Sequence, residues 1–187
     1  MITSFFYFWM PLLLLGGIIL YLPFYVYYRR RGIGNWRQAA YFCLFSVGLM
    51  ILFVTLSGAD FQATVRHMNL IPLGWLFQPY SMGVASTMQQ LAINFIMFVP
   101  FTFFLATVLS RRNLWKVMAI ALIVNVSIET FQYFTGRSAD IDDLIMNLLG
   151  GLCGYGLFLL VHRRLKRKKF WQVFTGLYPK SPLRGNL

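Results

Sequence analysis

Asp140-Ile141-Asp142-Asp143-Leu144-Ile145-Met146-Asn147-Leu148-Leu149-Gly150-Gly151-Leu152-Cys153-Gly154-Tyr155-Gly156-Leu157-Phe158-Leu159-Leu160-Val161-His162-Arg163-Arg164 has two chemically different ends. Three carboxylates open it, and a basic run closes it. The residues between, from Leu144 to Val161, hold nothing more polar than Asn147 and a tyrosine. Roughly 20 apolar residues in a helix cross the ~30 Å of hydrocarbon in a bilayer. A backbone in hydrocarbon must pair its own N–H and C=O groups, so this segment is predicted to be a membrane-spanning helix.

Working outward, the same pattern recurs. Spans are predicted from Phe5 to Tyr28, from about Gln38 to Leu56, from about Leu91 to Leu109, from about Leu114 to Phe134, and from about Leu144 to Val161. The composition agrees: 58% hydrophobic, 18% aromatic and only 12% charged residues leave too few polar groups to cover a water-facing surface. Mean hydropathy is +0.63. The fold class is therefore an all-α integral membrane protein of about five transmembrane helices. The first span lacks a small-residue cleavage pattern and is read as retained.

Lys and Arg set the orientation. Fifteen of the seventeen lie on one side, namely Arg29, Arg30, Arg31, Arg37, Arg111, Arg112, Lys116 and the eight from Arg163 to Arg184, against Arg66 and Arg137 on the other. The amino terminus is expected outside and the carboxyl terminus inside. Three regions follow: residues 1–37, a first helix and basic loop; 38–161, the main transmembrane domain; and 162–187, a basic and aromatic tail. The net charge of +12 is explained by this flanking pattern, so no nucleic-acid partner is expected. The expected partners are the bilayer itself and, at the tail, anionic lipid, each nearby cation contributing about 1 kcal/mol. The loop from Ser57 to Gln90 is long, and Trp75, Phe77, Tyr80, Met82 and Met88 suggest that part of it sits in the interface. Cys43 and Cys153 lie in apolar runs and read as small hydrophobes rather than a disulfide or metal pair. His162 is expected to reach toward the interface, and His67 to be a solvated loop histidine.

All five acidic residues, Asp60, Glu129, Asp140, Asp142 and Asp143, fall at or near the opposite end from the cations. Asn94, Gln132 and Asn147 belong to the same end. Glu129 with Gln132, and Asp143 with Asn147, are spaced to share helix faces. Residues 129–147 can thus form a hairpin with polar groups turned inward and Arg137 at its tip. A charge within a span costs roughly 2.5–3.5 kcal/mol at the centre and marks a functional site by default. A purely structural polar cluster accounts for part of the pattern: the aspartates cap the fifth helix and favour its dipole, and Arg137 pairs with Glu129. Gly150, Gly151, Gly154 and Gly156 give the last span a close-packing face.

Asn94-Phe95-Ile96-Met97-Phe98-Val99-Pro100-Phe101, then Ser127-Ile128-Glu129-Thr130-Phe131-Gln132, then Arg137 to Gly150 resemble the VanZ-like family of bacterial membrane proteins. Asn69-Leu70-Ile71-Pro72-Leu73 is similar to that family's N-L-I-P-F element, with Leu73 in place of the usual aromatic. The resemblance covers about Gln38 to Tyr155. It implies a multi-pass protein of the bacterial cytoplasmic membrane and cell envelope. The family is named for a protein that lowers susceptibility to the lipoglycopeptide teicoplanin. It also implies Asn69, Pro72, Asn94, Pro100, Glu129, Gln132, Arg137, Asp140, Asp143 and Asn147 as working residues, with Asp142 fitting as well.

Two function classes follow. In the first, the cluster of Asn69, Asn94, Glu129, Gln132, Arg137, Asp140, Asp142, Asp143 and Asn147 binds the head group of an amphiphile, a lipoglycopeptide or a lipid-linked envelope intermediate, with Arg137 attracting an anion. No cofactor is required. In the second, Glu129, Asp140 or Asp143 acts as a catalytic base on a lipid-linked phosphate, with a divalent cation held by Asp140, Asp142 and Asp143. Serine-elbow, zinc-protease and phosphate-loop motifs are absent. Transport would need polar groups near mid-membrane, where only Asn125 and Ser127 are found.

Overall fold

A computed structural model describes residues 10–57, 61–62, 67–74, 83–109 and 113–177, apart from the side chains of 10–14. The helices are α1 (Met10–Arg30), α2 (Asn35–Leu56), α3 (Val84–Val108), α4 (Leu114–Phe134), α5 (Ile141–Leu165) and a short α6 (Lys169–Phe174). Two two-residue strands, β1 (Met68–Asn69) and β2 (Ala139–Asp140), pair in parallel. Four helices, α2 to α5, are long and apolar enough to cross a membrane among the described residues. The chain is thus a multi-span helical membrane protein. Helix α1 overlaps the first expected span from Met10 to Tyr28, ends two residues beyond it and is not one of those four; Phe5 to Trp9 lie outside the described residues.

The helix bounds differ from expectation at three places. α3 starts at Val84 rather than Leu91, so Met88 and Gln90 are helical rather than loop. Asn94 accordingly lies well inside α3 and not in its first turn. α5 runs from Ile141 to Leu165, three residues earlier and four later than expected, because Asp140 caps its start. α2 begins at Asn35. Asp60, Arg66, Trp75, Phe77, Tyr80, Met82, Arg111, Arg112, Tyr178, Lys180 and Arg184 lie outside the described residues.

α3 is the hub. Its Met97, Phe98, Phe101, Leu105 and Ala106 are buried with Ile51 of α2, Val117 and Ala121 of α4, and Phe158 of α5. α3 and α5 run in the same direction, Phe95 beside Gly150 and Val99 beside Gly154. A β-carbon on either glycine would fall on the facing carbonyl oxygen. The missing side chains let the two backbones touch, as small residues do at membrane helix interfaces. Thr102 Oγ1 donates across the same seam to the Gly151 carbonyl at 2.8 Å. α1 leans on α2 through Tyr21, whose ring meets Phe42 and Phe45 at 5.3 and 5.6 Å.

The tail holds more structure than a lipid-facing anchor requires. Trp171 of α6 is buried at 4% exposure, and its indole N–H donates to His162 Nδ1 at 3.0 Å. His162 therefore packs inward, stacked on Phe158 at 5.5 Å, instead of reaching for the interface. Arg37, counted in the sequence only as a cation, donates to the Thr107, Val108 and Phe174 carbonyls at 2.9, 2.6 and 3.0 Å. It also donates to Tyr41 Oη at 3.2 Å. One guanidinium thus satisfies the orphan carbonyls at the C-terminal ends of both α3 and α6.

Candidate functional site

At the opposite end of the bundle from Arg37, the carboxylates form an ordered network. α4 ends at Phe134 with Thr135 as its C-cap, Gly136 turns the chain with φ +74°, and β2 leads into α5. Asp140 is extended at φ −126°, and its Oδ1 accepts from the Asp142 N–H at 2.9 Å, which caps α5. The capping role expected for Asp140 is therefore met. The side chain does more than cap: Asn69 Nδ2 donates to both Asp140 oxygens, at 3.3 and 3.2 Å, across the β1–β2 pair. Glu129 Oε2 accepts from the Asp140 backbone N–H at 2.9 Å, so it pins the strand to α4.

The N-L-I-P-L segment closes over the start of α5. Asn69 Oδ1 accepts from the Ile71 N–H at 3.2 Å, a local turn that Asn favours. Pro72 sits in the turn that follows, and Leu73 adopts φ +58°, a left-handed conformation uncommon for a branched residue. That conformation presents the Leu73 N–H to Asp142 Oδ1 at 2.6 Å. The element works through its backbone, so a leucine at position 73 retains this bond.

Beneath it lies a buried amide layer. Gln90 Nε2 of α3 donates to Asp143 Oδ2 at 2.8 Å, and Asn94 stands beside the same carboxylate. Asn147 Nδ2 donates to Asn125 Oδ1 at 2.8 Å, and Asn125 Nδ2 donates to the Leu144 carbonyl at 2.9 Å. Asp142, Asp143, Asn125 and Asn147 are all at most 3% exposed. Gln90 and Asn125 were not among the expected site residues. Gln90 was hidden by the misplaced helix start, whereas Asn125 was visible as an amide in mid-span.

The structure does not bring every expected residue to one place. Arg137 turns toward the end of α2, where its Nη1 makes long contacts to the Val54 and Thr55 carbonyls at 3.5 and 3.4 Å. Gln132 is buried at the end of α4, and its carbonyl accepts from the Thr135 and Arg137 N–H groups. Pro100 lies within α3, away from the carboxylates. Among the described residues no three His, Cys, Asp or Glu side chains form a group able to hold a metal ion.

Beside the network runs an open groove of about 230 Å³ between α4, the two strands and the first turn of α5. Its walls are Met68, Leu70, Val126, Tyr133, Ile141 and Leu144, and Glu129 and Asp140 supply its carboxylates. An apolar trough with acceptor groups on one side suits a ligand that is itself amphipathic.

A profile of the VanZ/LLP1 family matches residues 40–162. Over 115 residues the chain is 28% identical to "Protein VanZ" of Enterococcus faecium. That match covers 60% of this chain and 66% of the relative, just under two thirds of its length. No solved structure matches the chain.

Proposed function

Because the chain belongs to the VanZ/LLP1 family, we propose that it is an envelope protein of the bacterial cytoplasmic membrane which lowers susceptibility to lipoglycopeptides of the teicoplanin kind by binding an amphiphile head group. The observation that carries this reading is the groove, where Glu129 and Asp140 share one cleft with six apolar side chains. Carboxylates accept hydrogen bonds, so the head group should bring donors: hydroxyl, amide N–H or ammonium. Its apolar portion lies against Val126, Leu144 and the acyl chains of the bilayer. Arg137, held on α2, serves the site by closing the bundle rather than by meeting the ligand.

Two conservative variants test the reading. Glu129→Gln keeps an oxygen for the Asp140 N–H, and Asp140→Asn keeps a capping side chain. Each should reduce protection of cells against teicoplanin several-fold at unchanged membrane abundance. Protection equal to that of the parent chain would sink the proposal. Turnover of a lipid-linked phosphate by purified protein with Mg²⁺ would replace it with the enzyme reading.

The proposal includes five spans, with α1 as the first, the amino terminus outside and the site on the outer face. It is supported by the fifteen-to-two distribution of Lys and Arg. In intact cells a tag after Leu187 should be protected from an impermeant reagent, and a tag before Met1 should react. The reverse pattern would place the groove on the cytoplasmic side.

A further inference from the structure

The amide layer between α3, α4 and α5 carries an unbalanced hydrogen-bond inventory. The Leu144 carbonyl can only accept, so it fixes Asn125 with its nitrogen toward α5. Asn125 Oδ1 then takes the Asn147 nitrogen, which leaves Asn147 with its oxygen as the remaining end. That oxygen receives no hydrogen bond from any described residue. Asp143 Oδ1 is in the same condition. The two residues are one turn apart on the same face of α5. They are 3% and 2% exposed, so bulk water does not solvate them. Two acceptors thus share one buried helix face, one of them on a carboxylate whose other oxygen is held by Gln90.

A buried acceptor left unpaired costs about 1–3 kcal/mol, and a buried unpaired charge costs more. A positive species at this face removes both penalties. We propose that Asp143 Oδ1 and Asn147 Oδ1, with Asn94 beside the Asp143 carboxylate, form a binding site for a single alkali cation. One carboxylate supplies one negative charge, which a monovalent ion neutralises. Ca²⁺ takes six to eight oxygen ligands and Mg²⁺ keeps several waters in a near-ideal octahedron, which a dry face with one carboxylate does not supply. Asp140 is engaged by Asn69 through both oxygens, and Asp142 Oδ1 by the Leu73 N–H. Asp142 Oδ2 is a further unpaired buried oxygen, but position 142 does not share the helix face of 143 and 147. The bound ion ties α5 to the α3 and α4 faces that carry Gln90, Asn94 and Asn125. The site does not depend on the groove, and it holds whether or not an amphiphile binds there.

Full-length protein in detergent, melted in NaCl or KCl and in N-methylglucamine chloride at equal ionic strength, tests the site. One alkali cation should raise the midpoint by roughly 3–6 °C at saturation. Equilibrium binding of radioactive sodium or rubidium should reach about one ion per chain. Asp143→Asn removes the charge and offers an amide donor to Asn147, so it should fold and lose the response. Asn147→Leu should weaken the response at least tenfold in apparent affinity. If Asp143→Asn fails to accumulate, ion binding by the parent chain and by Asn147→Leu decides the question. Equal melting in all three salts with no bound ion overturns the proposal, as does an undiminished response in Asp143→Asn.

Discussion

Gly154→Ala and Gly150→Ala should each strip the membrane of folded protein, although each adds only one methyl group. At both positions the new carbon falls on a backbone carbonyl of α3, Val99 at one and Phe95 at the other. Thr102 Oγ1 crowds Gly154 as well. Overpacking costs about 1–3 kcal/mol where side chains can move aside. Here two helix backbones must part, which also breaks the Thr102–Gly151 bond, so about 3 kcal/mol or more is expected. That is a large share of a total stability of about 5–15 kcal/mol. Gly156→Ala is the matched control, since nothing lies within 4 Å of the added carbon. Fluorescence-detected size exclusion of tagged protein would read the difference. Normal monodisperse peaks for the first two variants would show that the α3–α5 contact is looser than described.

Arg37→Ala should be nearly as damaging at the other end. It removes three bonds to carbonyls and one to Tyr41, and charge-assisted bonds of this kind contribute about 1.5–3 kcal/mol each. Their loss exposes the ends of α3 and α6 together, so a net cost of about 3–5 kcal/mol is expected. Arg37→Lys should rescue little, because an ammonium cannot fork to three carbonyls. The readout is local: α6 should detach, and trypsin should cut the Lys166–Lys169 segment of the variant faster than that of the parent chain. Unchanged cleavage would mean that Trp171 and His162 hold the tail without Arg37.

The spans were legible because an apolar run of this length has few alternatives, and Asp140 as a cap was legible from its place before one. The first turns of α3 were not, since Ser86, Thr87, Gln89 and Gln90 look like loop until their helix is seen packed on α5. α6 was hidden for a related reason. Phe170 and Trp171 read equally well as lipid anchors, and only the fold shows Trp171 turned inward onto His162. Asp143 and Asn147 could be assigned to one helix face by spacing alone. Their partners could not, because Gln90 is 53 residues from Asp143 and Asn125 is 22 from Asn147. The Arg37 contacts are longer still, reaching 137 residues to Phe174. Local patterns specify elements, whereas the pairing of side chains across that much chain depends on which helices become neighbours.

The parallel β1–β2 pair sets an order of events during synthesis. Parallel neighbours cannot be joined by a tight turn, and here Asn69 must wait for Asp140, 71 residues later, with α3 and α4 between them. At about 5–20 residues per second that delay is roughly 4–14 s. Throughout it the Asn69 segment has no strand to meet. The two strands can meet only if α3 and α4 have crossed the membrane in opposite senses and returned the chain to the side it left. A helix inserted the wrong way would strand Asp140 on the far face and leave Asn69 unpaired. The two-stranded pair, the only sheet among the described residues, can therefore form only on a chain whose α3 and α4 have crossed in opposite senses, and α5 follows it into the membrane.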